Sequence, residues 1–281
     1  MTDVHGGFLW YELMTTDMEA AKAFYRNVIG WSTQDNEAAY TLFTAGEEPV
    51  AGLTELPAEL RKMGMPPRWI GYVSVDDVDA ADRAVQLGGF VQVPPTDITG
   101  ISRYSVVADP QAAIFVLIKR FNPAGRQAGD PSAPGRVGWH ELFAADWQKA
   151  FAFYRDLFGW QQVSAGADAH GTYAQFAAAG QTLGGMFTKP AQAPIPFWLY
   201  YFNTADLAAA AKRVAAGGGR ILEGPLDLPS GGRAARCLDP QGAMFALIGQ
   251  RNDKAIGYFE PAAARDPAAA RFFVPKKPTP A

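Results

Sequence analysis

The chain has 281 residues, 48% of them hydrophobic and 19% charged. That is long enough for two domains of about 150 residues and apolar enough for each to bury a core. The net charge of −3, with no long basic run, excludes the clustered Lys and Arg that nucleic acid binding requires.

Residues 8–14 read as a strand. Asp17 is placed to cap a helix, with Glu19 in its first turn. Ala21, Phe24, Tyr25 and Val28 form one apolar face, and Gly30 stops the helix. Short strands follow around 31–35, 39–44 and 48–54. The pattern then restarts with a strand over 69–75. Asp77 is expected to cap a second helix with Val78, Ala81 and Val85 on one face, ended by Gly88-Gly89. Strands near 90–93, 103–108 and 113–118 complete the unit, with Asp109-Pro110-Gln111 as the turn before the last. This strand, helix, three-strand module, used twice, predicts an α+β unit. Helices cover one face of a curved mixed sheet, and the other face lines a cavity.

The whole unit recurs. "WYELMTTDMEAAKAFYRNVIGW" from Trp10 matches "WHELFAADWQKAFAFYRDLFGW" from Trp139, an offset of 139 − 10 = 129. "WIGYVSVDDVDAA" from Trp69 matches "WLYYFNTADLAAA" from Trp198, and "RYSVVADPQAAIFVLI" from Arg103 matches "RAARCLDPQGAMFALI" from Arg233. The expected organisation is a first domain over 1–120, a Pro/Gly/Ala-rich linker over 121–135, a second domain over 136–250, and a Pro/Ala-rich tail over 251–281. Phe272-Phe273-Val274 in that tail is a candidate docking segment. Since the linker supplies both units in one chain, the expected assembly is a monomer with internal pseudo-two-fold symmetry, or a homodimer. A single cysteine, Cys237, excludes an intramolecular disulfide. With no leader pattern at the N-terminus and no apolar run near ~18 residues, the chain reads as soluble, cytoplasmic and without membrane contact.

The pattern W-x-E-L-x-x-x-D…A-x-x-F-Y…G-W, with DPQ-x-A…F-x-L-I, resembles the vicinal-oxygen-chelate superfamily. That superfamily includes glyoxalases, bleomycin-resistance proteins and extradiol dioxygenases. The resemblance spans residues 8–119 and 137–249 and implies two glyoxalase-like units of paired βαβββ modules. It also implies metal-ligand slots on the cavity face. Three of these fall at Trp10, Ile70 and Val116 in the first unit and at Trp139, Leu199 and Ala246 in the second. The fourth lies near Gly52 and Gly185. None of these side chains binds a metal. No cofactor is therefore expected, a divalent metal held by unusual ligands being the alternative. Of the three histidines, His5, His140 and His170, alternation turns His140 away from Trp139 and onto the opposite face.

What remains on the cavity faces is aromatic with a few polar groups. Trp10, Glu12 and Met14 alternate onto one face, as do Trp139, Glu141 and Phe143. Tyr72 shares a face with Ile70, and Tyr201 and Asn203 share one with Leu199. Tyr40 and Tyr173 begin matched strands. Glu12 and Glu141 are the candidate catalytic residues. A carboxylate on an apolar wall is either an acid/base or ligand-holding group, or a structural residue paired with arginine. Arg103 and Arg233 are the candidate partners and candidate ligand contacts. Trp10 and Trp139 either stack on a planar ligand or plug the space of a metal. Gly217-Gly218-Gly219 reads as a helix stop, Ser230-Gly231-Gly232 as a turn, and Cys237 as the match of Val107 with no nucleophile pattern around it. Two functions follow: a metal-free protein binding a planar or aromatic small molecule, or an enzyme of the superfamily using the glutamates as acid/base or as atypical metal ligands.

Overall fold

The computed structural model describes residues 3–36, 40–122, 130–168, 171–228 and 231–249. His170, Ser230 and the segment Phe272–Val274 lie outside the described residues. The first unit contains β1 (Phe8–Thr15), α1 (Met18–Ile29), β2 (Ser32–Asn36), β3 (Tyr40–Ala45), β4 (Glu48–Glu55), a short α2 (Ala58–Lys62), β5 (Arg68–Ser74), α3 (Ala80–Gln86), β6 (Phe90–Ile98), β7 (Ser102–Ala108) and β8 (Ile114–Arg120). The second contains β9 (Val137–Ala144), α4 (Trp147–Phe158), β10 (Gln161–Asp168), β11 (Gly171–Ala178), β12 (Gln181–Thr188), β13 (Phe197–Asn203), α5 (Leu207–Ala216), β14 (Arg220–Asp227), β15 (Arg233–Leu238) and β16 (Met244–Gly249).

Each unit is one eight-stranded mixed sheet. The orders are β2-β3-β4-β1-β5-β8-β7-β6 and β10-β11-β12-β9-β13-β16-β15-β14. The two modules of a unit join through the antiparallel pairs β1–β5 and β9–β13. The first helix of each unit starts as its sequence dictates. Asp17 accepts from Ala20 N at 2.9 Å and Asp146 from Lys149 N at 3.1 Å, and Gly30 and Gly159 end the helices in the left-handed conformation.

The second helix differs between the units. Asp206 caps α5 by accepting from Ala209 N at 2.8 Å. Asp77, its counterpart, accepts from Asp79 N instead, a local turn that delays α3 to residue 80. Val78 and Ala81 are buried as expected, but Ala84 rather than Val85 completes the face and Val85 is exposed. The short α2 has no counterpart in the sequence reading.

The helix-side faces of both sheets, with the helices between them, merge into one apolar core that includes Leu13, Tyr25 and Trp69 of the first unit and Leu142, Tyr154 and Trp198 of the second. Reciprocal hydrogen bonds tie the halves together. Tyr25 donates to Asp239 and Tyr154 to Asp109, each at 3.1 Å, while Trp31 donates to the Gly135 carbonyl and Trp160 to the Gly6 carbonyl, each at 2.8 Å. Matched positions meet across the pseudo-two-fold. The Tyr11 hydroxyl lies 2.7 Å from His140 Nε2, and the Tyr200 ring occupies the space where a Cβ on Gly71 would stand. The space between the units is therefore packed core, and the concave faces are turned away from it.

Candidate functional site

Strand register assembles the concave faces. In the first unit Gly52, Glu12 and Ile70 stand in one row across β4, β1 and β5. Trp10, Tyr72, Val116 and Val106 stand in the next, across β1, β5, β8 and β7. In the second unit the rows are Gly185, Glu141, Leu199 and Trp139, Tyr201, Ala246, Arg236. Each glycine has a physical reason. A Cβ on Gly52 would fall 1.8 Å from the Tyr40 hydroxyl, and one on Gly185 would fall 2.2 Å from the Tyr173 ring. Each tyrosine thus lies flat across its glycine. Trp10 donates to Tyr40 at 3.1 Å and Trp139 to Tyr173 at 2.8 Å. A Trp–Tyr–Glu–Tyr cluster is built twice.

The two clusters are finished differently. In the second unit Arg236 Nη2 donates to Glu141 at 2.7 Å, Nη1 to Glu223 at 2.6 Å and Nε to the Tyr201 hydroxyl at 2.9 Å. Tyr173 donates to Glu141 at 3.0 Å, and Tyr201 donates to it as well. The Arg236 guanidinium also lies 5.0 Å from the centre of the Phe143 ring. Glu141 is 0% and Arg236 3% exposed, and Leu199, Leu222, Leu228 and Ala246 pack over what space is left. This cavity is filled by its own side chains.

The first unit has Val106 and Val93, paired in register, where the second has Arg236 and Glu223. Glu12 has no ion-pair partner among the described residues. Burial raises its pKa, and hydrogen bonds from Tyr40 and Tyr72 only partly offset that. Burial, and then the charge of Glu12, push the Tyr72 hydroxyl well up. Trp10, Glu12, Met14, Tyr40 and Tyr72 are all half-buried, above a floor of buried Ile70, Val116 and Ile118. Tyr104 and Arg68 are half-buried on the same face.

Three expected ligand contacts lie elsewhere. Arg103 shares the helix-side face with Val107 and pairs with Asp97 at 2.8 Å, since a one-residue step along a strand reverses the side chain. Arg233 is on the matching face near Asp227. Asn203 donates to the carbonyls of Pro131 and Ala133, at 2.7 and 3.2 Å, and so holds the linker. Arg236, the true partner of Glu141, was readable only as the arginine three residues beyond Arg233, where the first repeat has valine. His140 sits in the shared core on the helix side, its Nδ1 2.6 Å from the Leu183 carbonyl. Burial lowers its pKa to about 4, so it is neutral. Cys237 is buried in the same core, which pushes its thiol up.

The residues present do not fit the metal centre that the resemblance implies. Trp10, Ile70 and Val116 offer no metal donor, and the fourth slot, Gly52, is covered by Tyr40. Among the described residues no group of three His, Cys, Asp or Glu side chains is placed to hold a metal ion. Nor is any helix among them long and apolar enough to cross a membrane.

Comparison with known proteins agrees with this architecture. The chain is 36% identical over 247 residues to a protein of Mycobacterium tuberculosis named as a candidate glyoxylase, CFP32, covering 85% of this chain and 93% of that one. It is 29% identical over 274 residues to the anthracycline biosynthesis protein DnrV of Streptomyces peucetius, covering 92% and 96%. Among solved structures, the Mn(II)-bound glyoxalase of Novosphingobium aromaticivorans superposes with a TM-score of 0.63 at 17% identity, covering 90% of this chain and 84% of that one. The 2,3-dioxygenase LapB of Pseudomonas sp. KL28 superposes at 0.62 and 13% identity, covering 92% and 97%. The profile of the Glyoxalase/Bleomycin resistance protein/Dioxygenase superfamily matches residues 7–114 and 136–247, and the chain belongs to that superfamily.

Proposed function

We propose that this protein binds a planar or aromatic small molecule, without a metal, in the concave face of the first unit, and that the second unit is a structural partner whose cavity is closed. One observation carries the reading: the same Trp–Tyr–Glu–Tyr cluster is capped by Arg236 in the second unit, whereas in the first it is half-buried with valine at the capping position. Aromatic and sulfur side chains of Trp10, Met14 and Tyr72 offer flat contact area. Glu12 and the hydroxyls of Tyr40 and Tyr72 offer hydrogen bonds that fix orientation.

A test follows from the difference between the units. Val106→Arg imports the capping guanidinium at the register position from which Arg236 reaches Glu141. The variant is expected to fold, to bury an ion pair with Glu12, and to lose ligand binding measured by calorimetry. Unchanged affinity in the folded variant refutes the location. Binding unaffected by chelators is expected, and binding that requires an added divalent metal refutes the metal-free part.

A second reading is supported by the raised pKa of Glu12. A half-buried carboxyl beside two tyrosine hydroxyls has the chemistry of a general acid or base. On that reading Glu12→Gln removes turnover and keeps ligand affinity, whereas on the binding reading it weakens affinity itself.

A further inference from the structure

Arg68 opens β5 on the concave face of the first unit, two residues from Ile70, and stands opposite Met14. Its counterpart in the second unit is Phe197, whose ring stacks on Phe143 with centres 4.5 Å apart, so the closed unit uses this position for apolar filling. Arg68 forms no such packing pair. Its Nε is buried and has no hydrogen-bond acceptor among the described residues. Burial lowers its pKa, and among the described residues no carboxylate pairs with it. Glu12 stands one register row away on the same wall and makes no ion pair with it. A buried donor left unpaired is uncommon in folded proteins and wants an acceptor.

We infer that Arg68 anchors an anionic oxygen of the ligand, a carboxylate or an ionised phenol, while Glu12 accepts from a hydroxyl at the ligand's other end. This rests on the proposed binding site in the first unit. The two rows are two residues apart along the strands, about 7 Å, so the ligand class is a flat hydroxyaryl acid with its polar ends on opposite edges. Arginine suits this task because its planar fork stays charged when partly desolvated and meets a carboxylate through two parallel bonds. Arg68 is thus a specificity-determining residue, selecting acids over their neutral analogues.

The probe is 6-hydroxy-2-naphthoate, compared with its methyl ester, titrated calorimetrically against the wild type, Arg68→Gln, Arg68→Lys and Val106→Arg. The acid is expected to bind the wild type more tightly than the ester. Loss of a charge-assisted bond in Arg68→Gln should weaken the acid by about 10- to 100-fold and leave the ester nearly unchanged. Arg68→Lys should retain part of the preference, and Val106→Arg should remove binding of both compounds. Equal weakening of acid and ester in Arg68→Gln, or none, overturns the role of Arg68 while loss in Val106→Arg leaves the site standing. Binding of both compounds unchanged in Val106→Arg, or absent in the wild type, overturns the site and the inference together.

Discussion

Glu12 and Glu141 occupy equivalent positions in different surroundings, because Arg236 and Glu223 of the second unit stand where the first has Val106 and Val93. Glu141 accepts from Arg236, Tyr173 and Tyr201 in a buried space, so removing its charge leaves the buried guanidinium with Glu223 alone as counter-charge. Glu141→Gln is expected to destabilise the fold by about 3 kcal/mol, the scale of breaking a buried pair. Glu12 has a raised pKa, so its ionised form is already disfavoured in the folded chain. Glu12→Gln is expected to change stability by less than about 1 kcal/mol. Parallel thermal or denaturant melts decide this, and equal losses in both variants contradict the division of roles. The sequence places both glutamates correctly on concave faces. It does not reveal which is structural, since that depends on which arginine of β15 points inward. Strand parity picks Arg236 over Arg233, and parity is fixed by a register that the sequence leaves open.

Each sheet admits a tyrosine over a neighbouring strand. β4 and β12 carry glycine where the sheet must admit a flat ring, so Tyr40 and Tyr173 can lie over Gly52 and Gly185. Adding a methyl group displaces the ring in both units, with unequal consequences. Gly185→Ala acts inside a filled core and is expected to cost about 1–3 kcal/mol or more, the range for overpacking. Gly52→Ala acts beside a half-buried tyrosine and is expected to cost less, while weakening ligand binding by moving Tyr40. Melting curves and a titration of each variant check the order. The strands and the repeated helices were legible because the repeat supplies two readings of each, whereas the short α2 occurs in one unit only among the described residues and was missed. The end of the α3 face was not: Asp77 accepts from the nearby Asp79 N–H, the helix starts only at residue 80, and Ala84 rather than Val85 is buried. The tyrosine-over-glycine contact was likewise hidden, since it pairs residues on different strands.

At the level of the molecule, the two units share one core, so they should unfold together. A single transition by both fluorescence and circular dichroism is expected, and two separated transitions contradict the shared core. His140 gives that core a pH dependence. Its folded pKa lies near 4 because burial penalises the charged ring, whereas an unfolded histidine titrates near 6.5. Between these values the unfolded chain holds the extra proton, so stability falls as pH drops from about 6.5 to about 4 and is fully present above that window. The total is roughly 3 kcal/mol for a shift of this size. Asp109, Asp239 and Glu12 act with the opposite sign, since burial raises their pKa and the folded chain binds protons more readily. The contribution of His140 is therefore read as a difference. Stability against pH should be steeper in the wild type than in His140→Asn across that window, and parallel curves contradict a buried neutral histidine.

On the proposed function, one cavity of two is open, and it lies in the first unit. A crystal of the full chain soaked with 6-hydroxy-2-naphthoate tests it most directly. Density is expected for one molecule per chain, stacked against Trp10 and Tyr72 with its carboxylate at Arg68, and the Arg236–Glu141 pair of the second unit should be unaltered. Density for the compound beside Trp139 with Arg236 displaced, or in the core between the units with the first cavity empty, contradicts it.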